Sequence, residues 1–126
     1  MLVLNTDNAI FFDVDDTLVM WGESDLYKRQ LVVKDPYFII EETLYINEAH
    51  VKLLKRCKFR GKFIVVWSHG GYKWAESVVK ALELEEYVDL ILTKMEDYVD
   101  DLNIEQWTVK NIYLNRRLSH VNRISE

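Results

Sequence analysis

The chain has 126 residues, with 16 Lys+Arg against 21 Asp+Glu, a formal net charge of -5, 49% hydrophobic and 29% charged residues. That length predicts one domain over 1–126, since two separate cores would each fall near the lower size limit, and the composition excludes a disordered acidic tail. The single cysteine, Cys57, excludes an internal disulfide and points to a reducing, cytoplasmic setting.

Met1-Leu2-Val3-Leu4 runs directly into Asn5, Thr6, Asp7 and Asn8. No basic segment or long apolar stretch accompanies it, so neither a signal peptide nor a membrane partner is expected. Ala9-Ile10-Phe11-Phe12 is short, β-prone and ends abruptly in acids, which predicts a strand buried on both faces. The following stretch, about 19–46, contains two β-branched and aromatic segments, 30–33 and 37–46. Asp35-Pro36 between them predicts a hairpin.

From Asn47 the period changes. Asn47 suits the cap of a helix carrying Val51, Leu54 and Cys57 on its apolar stripe, with Gly61 as the stop. His50 is assigned to the solvent face of this helix and Cys57 to its buried one. Phe63-Ile64-Val65-Val66-Trp67 predicts a second buried strand. Ser68-His69-Gly70-Gly71 then leads into a helix with Ala75, Val78, Val79 and Leu82 on one face. Strands are expected at 88–92, at Tyr98-Val99 and at 112–114. Trp74 and Trp107 read as packing groups, and the tail with Arg116, Arg117 and Arg123 carries no clear pattern. Strands alternating with helices imply parallel βαβ units and an α/β fold.

Charge is unevenly distributed. Every charge from Lys52 to Lys62 is positive, which reads as a solvated helix face, with a nucleic-acid patch as the alternative. From Glu83 to Asp101 the single cation is Lys94. Each apolar strand ends in a polar group: Asp13 and Asp15, then Ser68, then Lys94, then Asp100 and Asp101. In open parallel sheets, ligands bind beyond the carboxyl ends of the strands. Asp13 and Asp15, two apart on extended backbone, point to the same side. With Asp100 or Asp101 beside them, three carboxylates would need a cation, and an oxygen-only ligand set favours Mg²⁺. Lys94, Ser68 and the backbone N–H groups at Gly70-Gly71 suit phosphate oxygens. Phosphoryl transfer is the chemistry these groups share.

Asp13-Val14-Asp15-Asp16-Thr17-Leu18, after Ile10-Phe11-Phe12, resembles the first motif of the haloacid dehalogenase (HAD) superfamily. Val65-Val66-Trp67-Ser68 resembles the second motif, Lys94 the third-motif lysine, and Tyr98-Val99-Asp100-Asp101 the fourth, over about 9–101 of the chain. The compact ending from Lys94 to Asp101 is similar to that of small phage- or bacterium-type members. The resemblance implies a three-layer Rossmann-like parallel sheet flanked by helices, with a β-hairpin flap at about 19–46 and no cap domain. It implies Asp13 as nucleophile through an aspartyl-phosphate, Asp15 as general acid and base, and Thr17 as a brace for the loop. Ser68 and Lys94 would hold the phosphoryl group, and Mg²⁺ would lie among Asp13, Asp15 and Asp100 or Asp101. Met95 departs from the proline that often follows the lysine, and His69 is an unusual neighbour for Ser68 that could touch substrate. The expected substrate is a phosphomonoester, large ones included because the site is uncapped, with nucleic-acid ends one candidate. A phospho-accepting receiver-like module and an inactive HAD scaffold are the competing readings.

Overall fold

The computed structural model describes residues 4–103; the strand expected at 112–114, Trp107 and the arginine-bearing tail lie outside them. The chain forms two compact units, Met1–Lys94 and Met95–Glu126. The first is an α/β unit whose elements are β1 (Ala9–Asp13), β2 (Val19–Met20), β3 (Gln30–Asp35), β4 (Ile40–Ile46), α1 (Glu48–Phe59), β5 (Phe63–Ser68), α2 (Tyr72–Ala81) and β6 (Leu90–Thr93).

β1, β5 and β6 make an open parallel sheet in the order β1-β5-β6. Central β5 is the most buried, with Ile64, Val65, Val66 and Ser68 all inaccessible to solvent. β1 departs from the expectation. Among the described residues it is an edge strand covered on one face: Phe12 joins the core, while Phe11 on the other face is 45% exposed and packs edge-on against Trp67. β6 starts at Leu90, later than the expected 88. Asp89 is used at the strand entrance, where its N–H donates to the Ile64 carbonyl and its Oδ2 accepts the Ile64 N–H at 2.8 Å.

α1 starts where expected. The Asn47 side chain accepts the His50 N–H at 3.3 Å, and Gly61 at φ +90° turns the chain out of the helix. α2 buries Trp74, Ala75, Val78 and Val79. Its cap, Gly71, has φ 104° and ψ 156°, a region open essentially to glycine alone.

The insert at 19–46 is a second, antiparallel sheet in the order β2-β4-β3. The hairpin is present, but its first strand extends to Asp35 and its second begins at Ile40, because 37–39 belong to the turn. The Asp35 side chain accepts the Tyr37 N–H at 2.8 Å and its carbonyl accepts the Ile39 N–H, which closes that turn. The base of the hairpin is not a free flap. Val33, Leu44 and Ile46 are buried in the same core cluster as Phe12, Leu54, Ile64 and Trp74. The tip carries the most exposed apolar side chains of the hairpin, Phe38 at 74% and Ile39 at 76%.

Of the second unit, residues 95–103 are described. Tyr98-Val99 forms no strand there, which corrects the expectation. Both side chains are exposed, so this apolar pair gains no burial to hold it extended. Among the described residues, no helix is long and apolar enough to cross a membrane.

Candidate active site

The strand register brings the polar ends level. Asp13 pairs with Trp67 across β1-β5, and Ser68 pairs with Thr93 across β5-β6, so Asp13, Ser68 and the start of Lys94 share one sheet edge. The Lys94 N–H donates to the Ser68 carbonyl at 2.9 Å, tying the third group to the second.

The loop after β1 is shaped by alternation. Val14 and Leu18 are fully buried, which turns Asp13, Asp15 and Thr17 toward the edge. The Val14 carbonyl accepts the N–H groups of Thr17, Leu18 and Val19, wrapping the loop into a tight turn. Asp16 takes a positive φ of 58°, a conformation that aspartate tolerates better than most residues, and its side chain accepts the Trp21 N–H.

Thr17 Oγ1 donates to Asp13 Oδ2 at 3.3 Å, and Lys94 Nζ stands 3.9 Å from Asp13 Oδ1. Lys94 also lies 5.7 Å from the centre of the Trp67 ring. The Asp15 carboxylate is more heavily engaged. Its Oδ1 accepts the indole N–H groups of Trp21 at 2.9 Å and Trp74 at 3.0 Å, and its Oδ2 accepts the Ser68 hydroxyl at 3.2 Å. Ser68 Oγ in turn accepts the Gly70 N–H at 2.9 Å, so it bridges the loop before α2 to Asp15. His69 and Gly70 are exposed at this edge.

Two expectations about single residues change. His50 is buried, not solvent-facing, because it lies four residues before Leu54 and seven before Cys57, on the stripe itself. Its Nδ1 is 2.6 Å from the Thr17 carbonyl and 3.1 Å from Asn47 Nδ2, and its Nε2 is buried with no hydrogen-bond partner among the described residues. Burial pushes the His50 pKa below its ordinary value, an effect the Thr17 bond opposes only in part. Trp74 packs as expected but also donates to Asp15. The signal lay in its position: side chains in the first turn of a helix lean back toward its N-terminus, here the end of β5. For Trp21 no comparable signal exists.

Asp100 and Asp101 belong to the second unit. Asp100 is held below the usual carboxylate range by its side-chain hydrogen bond with Asp101, helped by the Leu102 N–H, which donates to it at 3.2 Å. Among the described residues, no three acidic, histidine or cysteine side chains form a metal-binding group. The donors at the first motif nonetheless have the chemistry a hard cation prefers: carboxylate and carbonyl oxygens on one tight loop. With the Asp15 carboxylate engaged by two indoles and a hydroxyl, the Asp13 carboxylate and the Asp15 main-chain carbonyl are the better-suited oxygens.

The basic run lies elsewhere. Lys58 Nζ bonds both oxygens of Asp89 at 2.7 and 2.9 Å, Lys62 donates to Asn8, and Lys55 sits 5.2 Å from the centre of the Tyr87 ring. Lys58 and Asp89 meet at Ile64, four residues before Ser68, so they mark the opposite end of β5, roughly 13 Å away. Half of the run is thus committed to intramolecular contacts. Comparison with protein-family models, curated proteins and solved structures found no match to this chain.

Proposed function

We propose that the chain is a Mg²⁺-dependent phosphomonoester hydrolase of the HAD type, working from the C-terminal edge of its parallel sheet. The observation that carries this reading is the grouping of Asp13, Asp15, Thr17, Ser68 and Lys94 there through Thr17–Asp13, Ser68–Asp15 and Lys94–Asp13 contacts.

In this reading Asp13 Oδ1 attacks phosphorus while the bond to the leaving oxygen breaks, forming an aspartyl-phosphate. Thr17 holds Oδ2 and keeps the other oxygen aimed. Asp15 gives its proton to the leaving oxygen, then takes one from the water that attacks the intermediate and frees phosphate from Asp13. Its Oδ2, with only the Ser68 hydroxyl as partner, is the oxygen suited to that exchange, since two indoles fix Oδ1. Lys94 and Ser68 take the phosphoryl oxygens, with the Gly70 N–H close by. Mg²⁺, held by the Asp13 carboxylate and the Asp15 carbonyl, would supply positive charge against the crowded anions. An acid two residues from the nucleophile favours turnover over a receiver-like module that keeps its phosphate.

The test is phosphate release from a generic aryl phosphate with Mg²⁺, with EDTA, and with Asp13→Asn and Asp15→Asn. Activity should require Mg²⁺, vanish in Asp13→Asn and fall at least about a hundredfold in Asp15→Asn. Full activity in Asp13→Asn would remove the mechanism.

A further inference from the structure

A cavity of about 320 Å³ lies between the hairpin tip and the candidate site, walled by Trp21, Tyr37, Phe38 and Trp74, with Asp15 and Asp35 at its polar margins. That volume is within the range of small-molecule sites. Trp21 and Trp74 stack on each other at 6.1 Å with an interplanar angle of 29°, and both indole N–H groups bond Asp15, so buried Trp74 backs Trp21, which is 46% exposed and supplies the accessible ring. Tyr37 and Phe38 come from the turn and leave large apolar areas in water, 48% and 74% exposed. The absence of side chain at Gly71 lets Tyr37 come this close, since a Cβ there would strike its hydroxyl.

Charge decides which part of a substrate belongs here. Among the described residues, no lysine or arginine lines the cavity and two carboxylates do, so a phosphate dianion is repelled from it. The cation, Lys94, stands instead beside Asp13. Asp15 would touch the leaving oxygen, so the cavity next to it receives the uncharged remainder of the leaving group. Asp35 adds a further restriction. Its Oδ1 takes the Tyr37 N–H, and a carboxylate on the lining suits a ring that carries N–H donors better than a plain phenyl or alkyl group.

The geometry points to a nucleobase in this cavity: the phosphomonoester is a nucleotide whose base packs against the accessible rings of Trp21, Tyr37 and Phe38. This rests on the phosphatase reading, and the test separates the two. Adenosine 5′-monophosphate and ribose 5-phosphate have the same primary ester to be cleaved and differ in the base. The expected result is a kcat/KM at least about tenfold higher for the nucleotide, with the ratio reduced in Phe38→Ala. In parallel, adenosine without phosphate, added in EDTA, should shift the indole N–H resonances of Trp21 and Trp74. Equal kcat/KM for the two esters overturns the nucleobase assignment and leaves the phosphatase standing. If neither ester nor a generic aryl phosphate is cleaved, the phosphatase reading fails. The indole resonances then judge the cavity alone: unmoved by adenosine, they overturn it, and shifted, they support it.

Discussion

Trp74 and Asp15, 59 residues apart in the chain, meet through a single hydrogen bond from the indole N–H to Oδ1 at 3.0 Å. The bond ties the first turn of α2 to the loop after β1, and Trp21 makes a matching bond to the same oxygen. In the proposed mechanism these indoles orient the acid–base carboxylate. Trp74→Phe keeps most of the ring and removes the donor. Its kcat should fall about tenfold, equivalent to about 1.4 kcal/mol, with a folded protein by circular dichroism. An unchanged kcat would show that Trp21 and Ser68 are enough to position Asp15.

His50 makes stability depend on pH. It is buried with its pKa below the ordinary value, so the unfolded chain binds a proton that the folded chain resists. Stability is therefore fully present above the unfolded value near ~6.5 and declines as pH falls toward the folded value. Urea unfolding at pH 7.5 and 5.5 should show that decline, and His50→Gln should flatten it. Equal slopes in both proteins would refute the assignment.

Asp89 acts in a lower window. Burial raises its pKa, but the Lys58 hydrogen bond, the Ile64 N–H and the Lys58 charge together outweigh this and leave it below the usual range. Its contribution is thus present above about 3.9 and lost as pH drops below that. Asp89→Ala should cost about 1–2 kcal/mol, because the Ile64 N–H loses its partner. Asp89→Asn, which retains an acceptor, should cost less in the same denaturant series.

Gly71 carries two separable constraints, its backbone conformation and the Tyr37 hydroxyl above it. Gly71→Ala should lose about 1–3 kcal/mol from the backbone alone, plus the cost of displacing Tyr37. Combining it with Tyr37→Phe should restore the second part only. Thermal melts of the two singles and the double measure the split.

The parallel strands, both helices and the hairpin were legible because each has a local signal: apolar runs ending in acids, an Asn cap, a Gly stop and Asp35-Pro36 as a turn. The convergence of Asp13, Asp15, Ser68 and Lys94 at one end of the sheet was legible for the same reason, since register places strand ends side by side. What was missed depends on tertiary packing. The exposure of Phe11 reflects a β1 face that is only partly covered, which no local signal announces, and β2 is only two residues long, too short to show alternation. His50 was placed on the wrong face because polar identity was given more weight than its spacing from Leu54. Tyr98-Val99 has strand composition but no apolar surface to cover, and composition alone does not extend a backbone.

The hairpin's buried base has a consequence for how selectivity could change. Val33, Leu44 and Ile46 unfold with the rest of the core, so the arms are not a hinged lid that can open independently. The turn at 36–39 contributes little to that core, and its exposed side chains can be exchanged at small cost in stability. A new ligand preference could therefore be obtained by varying four positions at the tip, as loops are varied on a fixed framework, while Asp13, Asp15 and Lys94 stay as they are.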